Sequence, residues 1–149
     1  MGHEAAAAAK AIGDRLVADN TLFSVVSTKV YTPVAQRGTA VPYVVFRQRS
    51  PGEDRQVIYP KRAMTSPLWD VGIWVEGDPH SSAAQIGADR IDVALGSLSV
   101  YSVTDAAGRT WQVSARSEGG AWVREEFDSK TSKIFYWVGR SYRLSISEA

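Results

Sequence analysis

The 149-residue chain is 44% apolar and 22% charged, with 17 Lys and Arg set against 16 Asp and Glu. These proportions suit one globular domain over residues 1–149 and exclude a mostly disordered, collagen-like or coiled-coil chain; the net charge of +1 is far from the basic excess of a dedicated nucleic-acid binder. The lack of cysteine excludes disulfides, thiolate metal sites and cysteine nucleophiles.

Met1-Gly2-His3-Glu4 lacks the basic start of an export signal, and the alanines at 5–9 are too few and too weakly apolar for its core. Ala6 stands where a myristoylation signal carries Ser or Thr. The strongest apolar runs, 41–46 and 134–138, are far shorter than the roughly 18–20 residues that cross a bilayer. The expectation is a soluble, intracellular chain with no membrane partner.

Residues 4–18 predict a helix, since Ala and Lys favour one and Glu4 in the first turn suits its dipole. Ala5, Ala8, Ala9, Ile12 and Leu16 make its apolar face. Asp19-Asn20 offers a stop, after which Asn20 or Thr21 caps a short turn holding Leu22, Phe23, Val25 and Val26. Residues 29–31 and 41–49 predict strands, with Pro42 at a strand start or edge because it has no N–H to donate. Residues 50–67 show no clear period and carry three prolines. A loop of that length is usually functional or disordered.

Residues 68–76 alternate most clearly: Trp69, Val71, Ile73 and Val75 take an apolar face, and Leu68, Asp70, Gly72, Trp74 and Glu76 the other. Gly77-Asp78-Pro79-His80 is a turn, and Ser82 with Gln85 fits a capping box for a second helix. Ala84, Ala88, Ile91 and Leu95 are its buried stripe, Asp89, Arg90 and Asp92 face water, and Gly96 suits a left-handed stop. From Leu98 the pattern is strand, with a hairpin at 105–108, a turn at 117–120 and a corner at Gly139-Arg140. Tyr142, Leu144 and Ile146 alternate with Ser141, Arg143 and Ser145. The order predicts an α+β fold: an antiparallel-rich mixed sheet with two helices packed on one face, plus an extended hairpin or loop.

The sequence holds no catalytic constellation. His80 has only Ser81 and Ser82 beside it, without a G-x-S-x-G elbow, and reads as a solvated residue at a helix entry. Glu125 and Glu126, neighbours on a strand, point to opposite faces and do not share a proton. Glu53-Asp54 reads as solvated charge. No spacing of His, Asp and Glu suggests a metal site, and the phosphate-cradling G-x-x-x-x-G-K motif is absent. No catalytic, cofactor or metal residue is therefore assigned. Among the five Trp and six Tyr, Trp69 belongs to the core. Trp74, Tyr136 and Trp137 are left open, because aromatics on a helix-free sheet face mark a protein interface.

Three stretches together carry a resemblance. The first runs from Ala11-Ile12-Gly13-Asp14-Arg15-Leu16 through Lys29-Val30-Tyr31 to Val41-Pro42-Tyr43-Val44-Val45-Phe46. The second is Trp69-Asp70-Val71-Gly72-Ile73-Trp74-Val75 followed by residues 83–95. The third is Tyr136-Trp137-Val138-Gly139-Arg140-Ser141-Tyr142-Arg143-Leu144. In this order they resemble the tail terminator, or tail-completion, proteins of long-tailed bacteriophages. The resemblance implies a structural virion protein at the neck end of the tail, assembled in the host cytoplasm and without enzymatic activity. It implies a homo-oligomeric ring, usually a hexamer, that caps the tail tube protein and meets the head–tail connector or stopper protein. DNA would pass through such a ring without specific binding. Another phage neck or minor tail ring protein, or a small α+β ligand-binding domain or enzyme, is the alternative. Residues 50–67 depart from the family pattern. There Val57, Ile58 and Tyr59 form an apolar cluster flanked by Arg55, Lys61 and Arg62, and these six residues are the expected subunit or tail interface.

Overall fold

The computed structural model describes residues 2–36, 38–50, 54–56 and 63–148. In chain order these form α1 (Gly2–Val17), α2 (Asn20–Val26), β1 (Val30–Tyr31), β2 (Tyr43–Ser50), β3 (Asp54–Gln56), β4 (Ala63–Thr65), β5 (Leu68–Glu76), α3 (Ser82–Leu95), β6 (Ser97–Thr104), β7 (Thr110–Asp128) and β8 (Lys133–Glu148). The strands make one sheet in which β1 runs parallel to β2 and every other pairing is antiparallel. The α+β expectation holds, with three helices among the described residues rather than two, because 20–26 winds into a helix of its own. No helix among the described residues is long and apolar enough to cross a membrane.

Within the segment expected to be a loop, residues 54–56 and 63–65 are paired strands. β2 pairs with β5 from Tyr43↔Trp74 to Ser50↔Leu68, and the same antiparallel course resumes as β3 on β4, from Asp54↔Thr65 to Gln56↔Ala63. A register shift lies between Gln48 and Ser50. β4 and β5 together line one side of β8, through Thr65↔Ile146 and then from Leu68↔Arg143 to Glu76↔Phe135. The alternation is lost at the prolines and charges of the distal half, which is why its strands escape a periodicity argument.

The helices cover the inner face. Ala7, Ala8, Ala11, Ile12 and Leu16 of α1 are buried, so its stripe is rotated from the predicted one toward Ala7 and Ala11. In α3 the buried residues are Ala84, Gly87, Ile91, Ala94 and Leu95. They meet Trp69, Val71, Ile73 and Val75 from β5 and Tyr142, Leu144 and Ile146 from β8, all buried as their alternation predicts. Gly87 is the contact point: a Cβ there would collide with the Ile73 side chain.

Three caps differ from the sequence reading. Asp19, not Asn20 or Thr21, caps α2, accepting the Leu22 N–H at 2.8 Å. Ser81, not Ser82, caps α3 through the Ala84 N–H, and Gln85 donates to the His80 carbonyl. Gly96 is right-handed at φ −64°; it is small because a Cβ would meet the Asp92 carbonyl oxygen at 2.6 Å, and the chain passes directly into β6. Asp19 also receives Arg90 in a two-pronged contact at 2.7 and 3.1 Å, tying α2 to α3. Asp92 accepts the Tyr142 hydroxyl at 3.1 Å. Arg90 and Asp92 therefore do not simply face water.

The predicted corner at Gly139-Arg140 is absent, and β8 runs through it unbroken. The predicted turn at 117–120 is a bulge inside β7: between the pairs Glu118↔Ser141 and Trp122↔Gly139, three residues of β7 oppose one of β8, and Gly119 takes up φ 79°. The hairpin at 105–108 stands as predicted, with the Asp105 carboxylate accepting the N–H groups of Ala107 and Arg109.

Candidate assembly surface

The face of the sheet turned away from the helices is built from the residues that alternation sends outward. Arg47, Asp70, Ser141 and Trp137 come from β2, β5 and β8, and Trp122 and Arg124 reach the same face from β7 just after its bulge. Asp70, 3% exposed, sits at the centre. It accepts Arg49 Nε at 3.1 Å, Arg124 Nη2 at 3.2 Å and the Ser141 hydroxyl at 2.7 Å. Ser141 in turn accepts the Trp122 indole N–H at 3.2 Å. A buried carboxylate held by two guanidinium groups and a hydroxyl has its acceptors satisfied and ties four strands together.

Beside this network lies an aromatic stack. Trp74 is parallel to Trp137 with centroids 5.8 Å apart, and Trp122 is tilted against Trp137 at 4.7 Å. The Arg47 guanidinium lies 4.6 Å from the Trp137 ring centroid, and Arg124 lies 4.2 Å from that of Trp122. Such cation–π contacts contribute about 0.5–2 kcal/mol each as water is excluded. Trp137 is thereby buried on the face that carries no helix. Tyr136 points the other way and packs against the main core.

Two adjoining hollows open at the edge of the stack. The larger, of about 530 Å³, is lined by Tyr43, Trp74, Phe127, Phe135, Glu126 and Asp128, with Lys130 beside them. The smaller, of about 200 Å³, shares Tyr43, Trp74 and Glu126 and reaches Arg47 and Trp137. Burial, then the Glu126 carboxylate, pushes the pKa of the Tyr43 phenol above its ordinary value and keeps it protonated. The Asp128 carboxylate is held below the usual range by the Lys130 N–H and the Thr131 hydroxyl. The Glu126 carboxylate makes no hydrogen bond or ion pair among the described residues.

Of the interface residues predicted from sequence, Arg55 lies on β3; Val57, Ile58, Tyr59, Lys61 and Arg62 lie outside the described residues. β3 and β4, which flank residues 57–62 in sequence, pair antiparallel from Asp54↔Thr65 to Gln56↔Ala63. His80 is exposed in the turn before α3. Glu125 and Glu126 occupy successive positions of β7 opposite Tyr136 and Phe135, on opposite faces. No group of three or more His, Asp or Glu among the described residues is placed to hold a metal ion. Sequence reasoning missed the Asp70 network and the hollow. Outward alternation of Asp70 and Trp74 was the available signal, but the arginines that cover them come from strands far away in sequence.

No protein-family model matches the chain, and no curated protein matches it. Among solved structures, the fold is similar to that of a chain in the virion of a native gene transfer agent particle. The TM-score is 0.59 at 18% identity, and the match covers 100% of both chains.

Proposed function

We propose that this chain is a structural protein of a phage-like virion, a tail-completion protein that forms a ring at the neck end of the tail. The observation that carries this reading is the end-to-end likeness of fold to a virion chain, with nothing left over on either side. The resemblance of the three sequence stretches to tail terminators points the same way. The protein acts by contact rather than catalysis: the buried polar cluster around Asp70 is spent on internal ion pairs and hydrogen bonds. Arg55, Val57, Ile58, Tyr59, Lys61 and Arg62 are the residues it offers to a neighbouring subunit or tail component. A closed ring requires two different complementary patches on each subunit. Mass measurement over a concentration series, with electron micrographs of native tails labelled for this protein, tests the reading. A ring in solution or on the neck end is expected; a strict monomer absent from tail ends overturns it.

A further inference from the structure

Past its bulge, β7 has a strand on one side only. β6 accompanies it from Thr110 to Arg116, and the last contact is the Ser117 N–H on the Gly96 carbonyl. From Glu118 to Asp128 no strand among the described residues lies on that side, while β8 fills the other. Gly77, which follows β5, donates to the Ile134 carbonyl, so Ile134 turns its backbone polar groups toward the β5 side. Its partner on β7, Phe127, therefore turns its own toward the open side, and alternation adds Glu125 and Val123. Each of these three residues holds an N–H and a C=O toward the place of a further strand.

The side chains of this edge are complementary to themselves. Charges on an edge strand usually keep other strands away. Here they select one register. When two copies of the edge lie antiparallel and centred on Glu125, Val123 of each stands opposite Phe127 of the other, and Arg124 opposite Glu126. Val123 is 48% and Phe127 58% exposed, and Ile134, opposite Phe127 on β8, extends the apolar strip. The Glu126 carboxylate is unpaired among the described residues, and Arg124, which donates to Asp70, has further N–H groups to give. Moving the centre by one residue is the smallest step that keeps the open backbone groups opposite one another. It sets Arg124 against Arg124 or Glu126 against Glu126. β6 ends opposite Arg116, short of the stretch 122–128 that the second strand would cover.

We propose that the open edge of β7 over residues 122–128 pairs antiparallel with the same edge of a second copy of this chain, about a two-fold axis at Glu125. The sheet then runs unbroken through both subunits. The two Glu125 carboxylates face each other at the axis and weaken the pair. An isologous contact is used up by two subunits, so this inference goes beyond the ring reading and does not depend on it.

The test uses the full chain, which has no cysteine, so one introduced thiol reports one contact. Directly opposed residues of an antiparallel pair have Cα atoms about 4.5–5.5 Å apart, within disulfide range. Under a mild oxidant, Glu125→Cys is expected to cross-link to its own copy, and Glu126→Cys at least ~10-fold more slowly. Sedimentation over a concentration series compares the unaltered chain with Phe127→Ser, Glu126→Arg and Glu125→Gln, after thermal melts show that each folds. Phe127→Ser and Glu126→Arg should associate ~10-fold more weakly, and Glu125→Gln ~3-fold more tightly. Cross-linking at position 126 as fast as at 125 overturns the register and the inference with it. Rings in which Glu125→Cys does not cross-link overturn the inference and leave the ring reading standing. Pairs that never close into a ring, in solution or on tails, uphold the inference and overturn the ring. A strict monomer overturns the inference, and loss of tail joining by its Phe127→Ser variant would assign the edge to another tail component. A strict monomer absent from tail ends overturns both.

Discussion

Gly72 and Gly139 stand directly opposite each other on β5 and β8, and the Trp137 ring lies over the space that a side chain on Gly72 would fill. A Cβ on Gly72 would come within 2.8 Å of Trp137 Nε1, and one on Gly139 would collide with the Val71 carbonyl. The pair lets β5 and β8 carry the aromatic stack flat against the sheet.

The two glycines are expected to differ in their tolerance. In Gly139→Ala the obstacle is backbone, which cannot move without breaking the ladder, so the cost is at least ~3 kcal/mol and the folded yield collapses. In Gly72→Ala the new Cβ would meet the Trp137 ring at 2.8 Å and the Val138 carbonyl oxygen at 2.9 Å, a milder clash that the Trp137 side chain relieves in part, so the cost is ~1–3 kcal/mol with a shift in tryptophan emission. Urea melts followed by fluorescence separate the two.

Asp70→Ala leaves Arg49 and Arg124 without their shared carboxylate. Both guanidinium side chains are more than one-third exposed and regain water, so the expected loss is ~1–3 kcal/mol rather than the larger cost of stranding a buried charge. Chemical denaturation measures it. Asp70→Asn should recover part of the loss by keeping an acceptor for Ser141.

Ile91 is fully buried under the sheet, so Ile91→Asp is expected to cost about 4 kcal/mol or more and to leave no cooperative melt. His80→Ala, in the exposed turn before α3, should stay within ~0.5 kcal/mol and assemble normally. Loss of assembly by a folded His80→Ala chain would show that this turn is a contact site.

Asp19 links pH to stability. The Arg90 hydrogen bonds, more than the opposing effect of burial, hold its carboxyl below the usual carboxylate range. The group is thus more acidic folded than unfolded. Its contribution is complete above the unfolded value of ~3.9 and is lost as pH falls through the lower folded value. Thermal melts from pH 6 down to pH 2 should show a smaller decline for Asp19→Asn than for the unaltered chain, with the difference confined below about pH 4.

Replacing Val57, Ile58 and Tyr59 together by Ser should leave the thermal melt nearly unchanged while weakening ring formation or tail joining. Unchanged assembly would remove this segment from the interface, and a collapsed melt would put it in the subunit's own core.

What sequence could reveal followed from range. The faces of β5, β8 and α3 were legible because each is set by apolar spacing within one element, as with Ile91 and Leu95 or Tyr142 and Leu144. The cap of α3 was misplaced by one residue because Ser81 and Ser82 are chemically equivalent and only the observed bond chooses between them. Gly139 was read as a corner because glycine breaks strands more often than it serves them. Its role in close packing depends on Val71, nearly 70 residues earlier in the chain. The hollow joins β2, β5, β7 and β8, and no local pattern announces it.

The order in which the strands become available follows from their pairing. β5 has β2 beside it early, but its second neighbour is β8, which also carries β4 and β7. A chain emerging from the ribosome therefore exposes one long edge of its central strand until residues 135–143 of β8 have followed. Through that interval the face beneath the helices lacks Tyr142, Leu144 and Ile146, so the core is complete only once β8 takes its place.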